Sequence, residues 1–383
     1  MEEMKEWCRL MPKIELHAHL NGSIRDSTLL ELAKVLGEKG VIVFDDVKDV
    51  IMKCGRSLPE CFQLFDLYHI LATDHETVSR ITKETIEDFA AENVVYLELR
   101  TTPKNNQAKG MTKRSYMKAV IDGLRDVDTV DVSFISSDIL INHTSEKKKR
   151  IFVRLLLSID RRETTEAAME TVCSLLLLLF TYLFIFKYFE VNHTIPSHFQ
   201  VDLAVEMKDL GVVGIDLSGN PIVGEWKTFL PALMYAKDKG LPITLHCGEV
   251  PNPEEIQAML DICPERLGHA CFLQDEEWQR VKSSRIPVEI CLTSNLQTER
   301  LTSIDYHHFD DLYKAKHPVV ICTDDRGLFS TTLSNEYYLA ASTFGLAKGQ
   351  MIELARSAID FVFADDGVKK NIRELFEASE RAY

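Results

Sequence analysis

Eight short apolar runs recur along the chain, and longer stretches with helical periodicity separate them. Segments such as Asp26–Leu36, with Asp26 as N-cap, Thr82–Ala91 and Phe229–Lys237 place apolar residues at helical spacing. The runs themselves are Lys13–Leu16, Val94–Leu99, Val153–Ile159, Val212–Leu217, Ile243–Leu245, Arg266–Gly268, Val288–Leu292 and Val319–Cys322. Strands that alternate with helices indicate a parallel sheet. Eight such units predict an α/β fold, a (β/α)₈ barrel in a single domain over residues 1–383.

Polar residues or glycine follow each apolar run directly. The segments that follow are HAHLNGS, RTTP, DRRE, SGNP, HCGE, HACF, TSN and TDD. In a (β/α)₈ barrel the active site gathers at the carboxyl ends of the strands. Ordinary loop residues would scatter His and Asp on both sides of the strands, whereas here they collect on one side. We therefore expect an active site at that end of the barrel.

The composition of the chain limits which molecules it can bind and which compartment it occupies. A net charge of −15 argues against a nucleic-acid-binding surface, which needs clustered Lys and Arg, but it leaves a small phosphorylated substrate possible. The nine cysteines include no Cys-x-x-Cys pair, and Met1–Leu10 contains no apolar signal segment. We expect a cytoplasmic (cytosolic) protein that binds no nucleic acid and no membrane, and that is a monomer.

Three histidines and one aspartate follow the predicted strands with the residue types of a metal site. His17 and His19 are two residues apart at the end of the first run, so both side chains point to the same face. His246 ends the fifth run, and Asp324 follows the eighth. Any single histidine is better interpreted as a polar residue that caps a strand. Four such residues at strand ends suit one Zn²⁺ with a position left for water.

Three further groups stand close to these ligands in the sequence. Glu249 lies three residues after His246, where its carboxyl can stand beside the metal and act as a general acid. His269 ends the sixth run and can orient or help deprotonate the attacking water. Asp325 can accept a hydrogen bond from that water or from the substrate. The neighbouring charges of Asp324 and Asp325 would repel each other unless a cation lay nearby.

With these residues identified, the sequence resembles the adenosine deaminase family of the amidohydrolase superfamily over nearly its whole length. The matching motifs are KIELHAHLNGS (Lys13–Ser23), GIDLSGN (Gly214–Asn220), TLHCGE (Thr244–Glu249), RLGHA (Arg266–Ala270), CLTSN (Cys291–Asn295) and CTDD (Cys322–Asp325). The resemblance implies zinc ligation by the four residues above, a proton donor at Glu249, and assistance to water from His269 and Asp325. It also implies that the backbone of Gly219 faces the purine, where a side chain would not fit.

Within the family, the sequence is most similar to the N6-methyl-AMP deaminase branch. Asn21 stands where a carboxylate would suit a ribose hydroxyl but would repel a 5′-phosphate. Thr101, Thr102 and Lys104 can donate to that phosphate, although an ordinary surface turn is an equal reading of this stretch without the resemblance. The resemblance adds further substrate contacts at His19, His69, Pro103, Asp160 and Asp325. Arg161 and Arg162 stay unassigned, as residues behind the site or facing the phosphate.

The implied reaction is hydrolysis of a C–N bond other than a peptide bond, most simply N6-methyl-AMP to IMP and methylamine. Adenosine or AMP deamination, or another metal-dependent amidohydrolase activity, is the alternative within enzymes. An inactive or partner-binding relic is the alternative outside them. The sequence does not decide which N6-substituted nucleotide is preferred.

An apolar insert interrupts the family pattern between the third and fourth runs. It comprises about 29 residues, Val172–Gln200, where connections between strands and helices are normally short. Its first 18 residues, VCSLLLLLFTYLFIFKYF, approach a membrane span. A valine codon begins with GT and a glutamine codon can be CAG, so we favour a retained intron or a gene-model error. A membrane anchor or a lineage-specific partner helix is the alternative, although an anchor is awkward inside a closed barrel.

Overall fold

A parallel sheet forms the centre of the molecule. The computed structural model describes residues 2–53, 55–72, 74–134, 148–172, 204, 207–298 and 303–380. The strands in this part of the chain are β1 (Lys13–His19), β2 (Val94–Thr101), β3 (Asp131–Ser133), β4 (Arg150–Asp160), β5 (Val212–Ser218), β6 (Ile243–Cys247), β7 (Arg266–His269), β8 (Val288–Ile290) and β9 (Val319–Ile321). Their order is β1-β2-β4-β5-β6-β7-β8-β9, and every pair is parallel. The eight predicted runs all form strands of this path, which confirms the (β/α)₈ prediction.

The two ends of the sheet meet beside the predicted metal ligands. Ala18 and Asp324 form a parallel bridge. The Asp324 amide donates to the His17 carbonyl over 2.7 Å, and the His19 amide donates to the Asp324 carbonyl over 3.1 Å. The closure of the barrel therefore holds three of the four predicted ligands in fixed register.

The helices lie between the strands, as the alternation predicted. In the described part of the chain they are Glu2–Leu10, Asp26–Glu38, Phe44–Ile51, Leu58–Leu71, His75–Ala91, Lys113–Arg125, Thr165–Val172, Trp226–Asp238, Pro253–Asp261, Asp275–Ser284, Leu292–Thr298, Phe309–Lys314, Leu333–Phe344, Lys348–Ser357 and Asp366–Glu380. Short 3₁₀ turns occupy Asn21–Ser23, Gln107–Lys109, Lys208–Leu210, Ile304–Tyr306 and Ala358–Phe361.

Two local predictions were wrong. Asp26 is the first residue of its helix, and Arg25 precedes it in an extended conformation without a side-chain capping bond. The strand β3 was missed because it has only three residues and alternates polar with apolar. It lies beside the path of the barrel and pairs with the start of β4.

Charged side chains fill part of the barrel interior. Arg100 contacts Asp216 at 3.2 Å and Glu289 at 2.9 Å, and Arg266 contacts Glu289 at 2.6 Å and Glu98 at 2.5 Å. All five of these side chains are fully buried. Buried charges cost several kcal/mol each unless they are paired, so these partners depend on one another.

Most of the predicted insert lies outside the described residues, which stop at Val172 and resume at Ala204. Val172 is the buried last residue of the helix Thr165–Val172. Within the described ranges, no helix has both the length and the hydropathy needed to cross a membrane.

Candidate active site

Four ligand atoms converge at the carboxyl end of the barrel. The Nε2 atom of His246 lies 3.1 Å from His17 Nε2 and 3.0 Å from His19 Nε2. The Oδ1 atom of Asp324 lies 3.3 Å from His17 Nε2 and 3.4 Å from His19 Nε2. With Zn–N bonds of about 2.0–2.1 Å, the ligand atoms of a tetrahedral site stand about 3.3 Å apart. The structure therefore brings together the four predicted ligands at the spacing of a metal site.

The Nδ1 atoms of His17 and His246 determine which tautomer each ring adopts, and these tautomers suit a cation between the Nε2 atoms. His17 Nδ1 lies 2.7 Å from Glu289 Oε2, and His246 Nδ1 lies 3.0 Å from Asp216 Oδ1. Because carboxylates accept, each Nδ1 carries the proton and each Nε2 presents a lone pair. Lone pairs that face each other at 3.1 Å repel unless a cation binds both. The chemistry of the donor set thus fits a metal ion, with the carboxylates fixing the tautomers of its ligands.

Both supporting carboxyls are ionised. Burial by itself would raise the pKa of Glu289, but Arg100 and Arg266 outweigh it and hold that pKa well below its usual range. Burial would likewise raise the pKa of Asp216, and His246 and Arg100 lower it instead. The pair of carboxylates therefore accepts hydrogen bonds from the ligand histidines throughout the neutral range.

Sequence reasoning missed these residues behind the ligands. Asp216, Glu289 and Arg100 lie inside strands β5, β8 and β2, before the strand ends on which the prediction concentrated. A signal was present for Asp216 and Glu289, because each is a charged residue within an otherwise apolar run, whereas Arg100 directly follows its run. Charged residues within buried strands are rare unless they are paired.

The three predicted catalytic side chains, those of Glu249, His269 and Asp325, line the cavity beside the metal ligands. His269 Nε2 lies 3.8 Å from Glu249 Oε1 and 4.0 Å from Asp324 Oδ2. Among the described residues, His269 Nε2 and Asp325 Oδ1 are buried atoms without a hydrogen-bond partner. Burial raises the pKa of Asp325 well above its usual range, and the charges of Asp324 and Glu249 add to this. These orphaned polar atoms suit a site that receives water and a cation.

A glycine makes room for Asp325. A Cβ atom on Gly22 would lie 1.6 Å from Asp325 Oδ1 and 2.3 Å from its Cγ. The 3₁₀ turn Asn21–Ser23 therefore brings backbone against the carboxyl group where no side chain fits.

Two residues of the site have left-handed backbone conformations. The φ angle is +61° at His269 and +64° at Asp324. Such angles cost non-glycine residues about 1–3 kcal/mol each and cluster at functional sites. The surrounding strands therefore hold both side chains in positions that the local backbone does not favour.

A cavity adjoins the ligands, and three of them, His19, His246 and Asp324, line it. Its apolar wall is formed by Leu58, Cys61, Phe62, Phe65, Leu328 and Phe329. Its polar lining includes Asn21, Thr101, Thr102, Asp160 and Arg162, together with Gly219. The cavity thus offers both an apolar surface that suits a ring system and polar groups that can form hydrogen bonds with a ligand.

A buried tyrosine connects two of the predicted phosphate contacts. The Tyr116 hydroxyl lies 2.8 Å from Thr101 Oγ1 and also hydrogen-bonds to the side chain of Asn21. Tyr116 was not predicted, because it lies in the helix Lys113–Arg125, outside the strand ends. Its hydroxyl fixes the orientation of the two donors.

The remaining predicted contacts divide between the cavity and its surroundings. Pro103 and Lys104 do not line the cavity. Lys104 is nevertheless near Asp160 and Arg162: burial lowers its pKa to about 7, which Asp160 partly opposes and Arg162 reinforces. His69 lies in the helix Leu58–Leu71, and the position of its side chain is outside the described part of the structure.

The two unassigned arginines separate clearly. Arg161 is buried and contacts both carboxylate oxygens of Glu255, at 2.7 and 2.8 Å. Arg162 lines the cavity and contacts Asp160 at 2.7 Å and Asp66 at 3.1 Å. Arg161 is therefore paired away from the cavity, and Arg162 is the arginine that borders it.

Comparison with known proteins agrees with this arrangement. The family model described as "Adenosine deaminase" matches residues 12–165 and 163–379. The chain belongs to the adenosine deaminase family. It is 62% identical over 378 residues to the N6-mAMP deaminase of Arabidopsis thaliana, covering 98% of each chain. It is 38% identical over 372 residues to the N6-Methyl-AMP deaminase of Homo sapiens, covering 95% of this chain and 92% of that one.

A solved structure gives the same result for the fold. The crystal structure of Arabidopsis ADAL complexed with IMP superposes with a TM-score of 0.86 at 61% identity, covering 98% of this chain and 99% of that chain. The predicted family and the predicted barrel are both confirmed.

Proposed function

We propose that this chain is a zinc-dependent hydrolytic deaminase that converts N6-methyl-AMP to IMP and methylamine. One observation carries the proposal: the four ligand atoms converge beside a cavity that also has an apolar wall and the polar side chains of Asn21, Thr101 and Arg162. The names of the Arabidopsis thaliana and Homo sapiens relatives support the substrate. IMP, the nucleotide bound in the crystallised relative, is the expected product.

The residues at the ligand end supply the chemistry. When bound, Zn²⁺ supplies Lewis acidity, which makes water a nucleophile near neutral pH. Glu249 protonates the purine at N1, which breaks the aromaticity of the ring and opens C6 to addition of water. His269 and Asp325 are placed to hydrogen-bond that water. The C6–N bond then breaks: methylamine leaves with one proton of the added water, and the other proton restores Glu249.

Polar residues in and beside the cavity bind and orient the nucleotide. Asn21 brings no negative charge toward the 5′-phosphate, and Tyr116 holds Asn21 and Thr101 in place. A phosphate dianion favours the charged form of Lys104, which burial alone disfavours. These contacts lie away from C6, so they contribute to binding and orientation.

Gly219 is suited to a close approach of the purine. Its φ angle is +101°, and a Cβ atom there would lie 3.0 Å from both Arg161 N and Asp160 Oδ1. Only glycine adopts this backbone conformation readily. Gly219 also lines the cavity, which supports the predicted contact of its backbone with the ring.

The remaining proposals concern the whole chain. We keep the single-domain interpretation with an insert at about 172–200, a monomeric state, and no nucleic-acid or membrane partner. The seven cysteines that the structure describes are all free, which supports a reducing compartment such as the cytosol.

Initial rates on N6-methyl-AMP, AMP and adenosine test the function and the insert together. The protein is purified with and without Val172–Gln200, and the zinc content of each form is measured. We expect N6-methyl-AMP to be the best substrate of the shortened chain. Activity in the shortened chain alone would identify the insert as an artefact. Zinc-loaded protein that acts on none of the three substrates would contradict the proposal and favour another amidohydrolase activity.

A further inference from the structure

A chain of hydrogen bonds runs from the backbone of Phe309 to the catalytic histidine. The Phe309 amide donates to His307 Nδ1 over 3.0 Å. His307 Nε2 lies 3.1 Å from Asn295 Oδ1, and Asn295 Nδ2 lies 3.0 Å from His269 Nδ1. The three side chains that form this series of hydrogen bonds, those of His307, Asn295 and His269, are at most 2% exposed.

The backbone amide sets the direction of every bond in the chain. An amide N–H only donates, so His307 Nδ1 accepts and its ring proton sits on Nε2. Burial and the neighbouring His308 lower the pKa of His307 to about 2, so this ring holds one proton. His307 Nε2 then donates to Asn295 Oδ1, which leaves the Asn295 amide nitrogen to donate to His269 Nδ1. A proton on His269 Nδ1 would face an N–H group, so that nitrogen presents its lone pair.

We propose that Asn295, oriented by His307, is a positioning residue that fixes His269 in the tautomer with its proton on Nε2. This proposal rests on the proposed function and concerns the attacking water. His269 Nε2 is the atom that faces the reaction site. With its proton already there, His269 donates a hydrogen bond to the oxygen of the attacking water. The proton that this water loses passes to the Glu249 carboxylate, which has given its own proton to N1 and whose Oε1 lies 3.8 Å from His269 Nε2.

The backbone of His269 is held by the same segment. The Ala270 amide donates to the Gly268 carbonyl over 2.8 Å, which closes a tight turn around His269 with its φ of +61°. The carbonyl of His269 accepts from His308 Nε2 at 2.8 Å. The rings of His307 and His308 stack with centroids 4.3 Å apart. Adjacent histidines thus fix both the main chain and the tautomer of His269.

Replacing the Asn295 amide with a carboxylate should reverse the tautomer of His269. In Asn295→Asp, both oxygens accept, so His269 donates from Nδ1 and presents a lone pair at Nε2. Asn295→Leu removes both hydrogen bonds without adding a charge, and leaves the tautomer unfixed. Gln297→Glu is the matched control, because it makes the same amide-to-carboxylate change on the same helix, Leu292–Thr298.

Nitrogen-15 NMR of histidine-labelled, zinc-loaded protein reads the tautomer directly, with His269 assigned by its loss in His269→Gln. We expect a pyrrole-like Nε2 and a pyridine-like Nδ1 in the wild type and in Gln297→Glu, and the reverse in Asn295→Asp. We also expect Asn295→Asp to lower kcat on N6-methyl-AMP by about 10²-fold, the effect of losing one preorganised donor, with KM little changed.

The wild-type spectrum alone can overturn the proposal, even if a variant fails to fold. A pyrrole-like Nδ1 in the wild type would contradict it, and so would an inverted tautomer in Asn295→Asp with unchanged kcat. Failure of the proposed function is a separate result: the spectrum would be as expected, but the wild type would not deaminate N6-methyl-AMP.

Discussion

The close approach of Gly22 to Asp325 gives the sharpest test of the site geometry. In Gly22→Ala, the new methyl carbon would lie 1.6 Å from Asp325 Oδ1. Nonbonded atoms settle near 3.5 Å, so the carboxyl group must move by about 2 Å. The backbone of Gly22 is not in the left-handed region, so alanine adds no backbone strain there. The effect of the substitution therefore comes from the displaced carboxyl group.

A displacement of about 1 Å at a reacting centre costs roughly 10²-fold in rate, so we expect kcat/KM for N6-methyl-AMP to fall by at least about that factor. Zinc content should stay at one ion per chain, because the ligand is Asp324 and not Asp325. Steady-state kinetics and elemental analysis of the same preparation measure both quantities.

Gly349→Ala is the matched control for this experiment. Gly349 lies in the helix Lys348–Ser357, and no atom of the described residues lies within 4 Å of its absent Cβ, so alanine should stabilise the fold by about 0.5–1 kcal/mol and leave activity unchanged. If Gly22→Ala proved as active as Gly349→Ala, the assignment of Asp325 to the reaction would be refuted.

Three other predictions concern the supports of the site. Tyr116→Phe removes the hydroxyl that orients Asn21 and Thr101. Loss of about 1 kcal/mol of binding should raise KM for the nucleotide about fivefold, while kcat stays the same. An unchanged KM in steady-state assays would contradict the orienting role of the Tyr116 hydroxyl. Glu289→Gln removes the acceptor of His17 Nδ1 and a partner of two arginines, so chelator competition should show metal affinity lower by about 10–100-fold, and urea unfolding should show a loss of about 3–5 kcal/mol. Lys104 loses its proton as the pH rises through about 7, so KM for the nucleotide should rise above that pH in the wild type but not in Lys104→Met, and parallel profiles for the two would argue against a phosphate contact.

The metal ligands could be predicted because they lie directly after predicted strands, a position that can be seen in the sequence alone. His17, His246 and Asp324 follow apolar runs, and the carboxyl ends of parallel strands meet at one end of a barrel. Chain order and periodicity were therefore sufficient to bring together residues that lie 229 positions apart, such as His17 and His246.

The supporting residues could not be placed in the same way. The contact between His17 and Glu289 depends on the register of β1 against the barrel interior, and nothing local to either residue specifies it. The link from His307 through Asn295 to His269 depends on how one loop packs against another. Gly22 was noticed only as part of a motif, because the atom that would clash with its Cβ belongs to Asp325, about 300 residues away.

Hydrolysis of N6-methyl-AMP in water enriched in oxygen-18 tests the central claim most directly. Mass spectrometry of the products should show IMP with one heavy oxygen at C6 and an equal amount of methylamine. This conversion should stop when a chelator removes the metal and return when Zn²⁺ is restored. IMP without the heavy oxygen, or a rate that the chelator does not change, would contradict metal-dependent hydrolysis at this site.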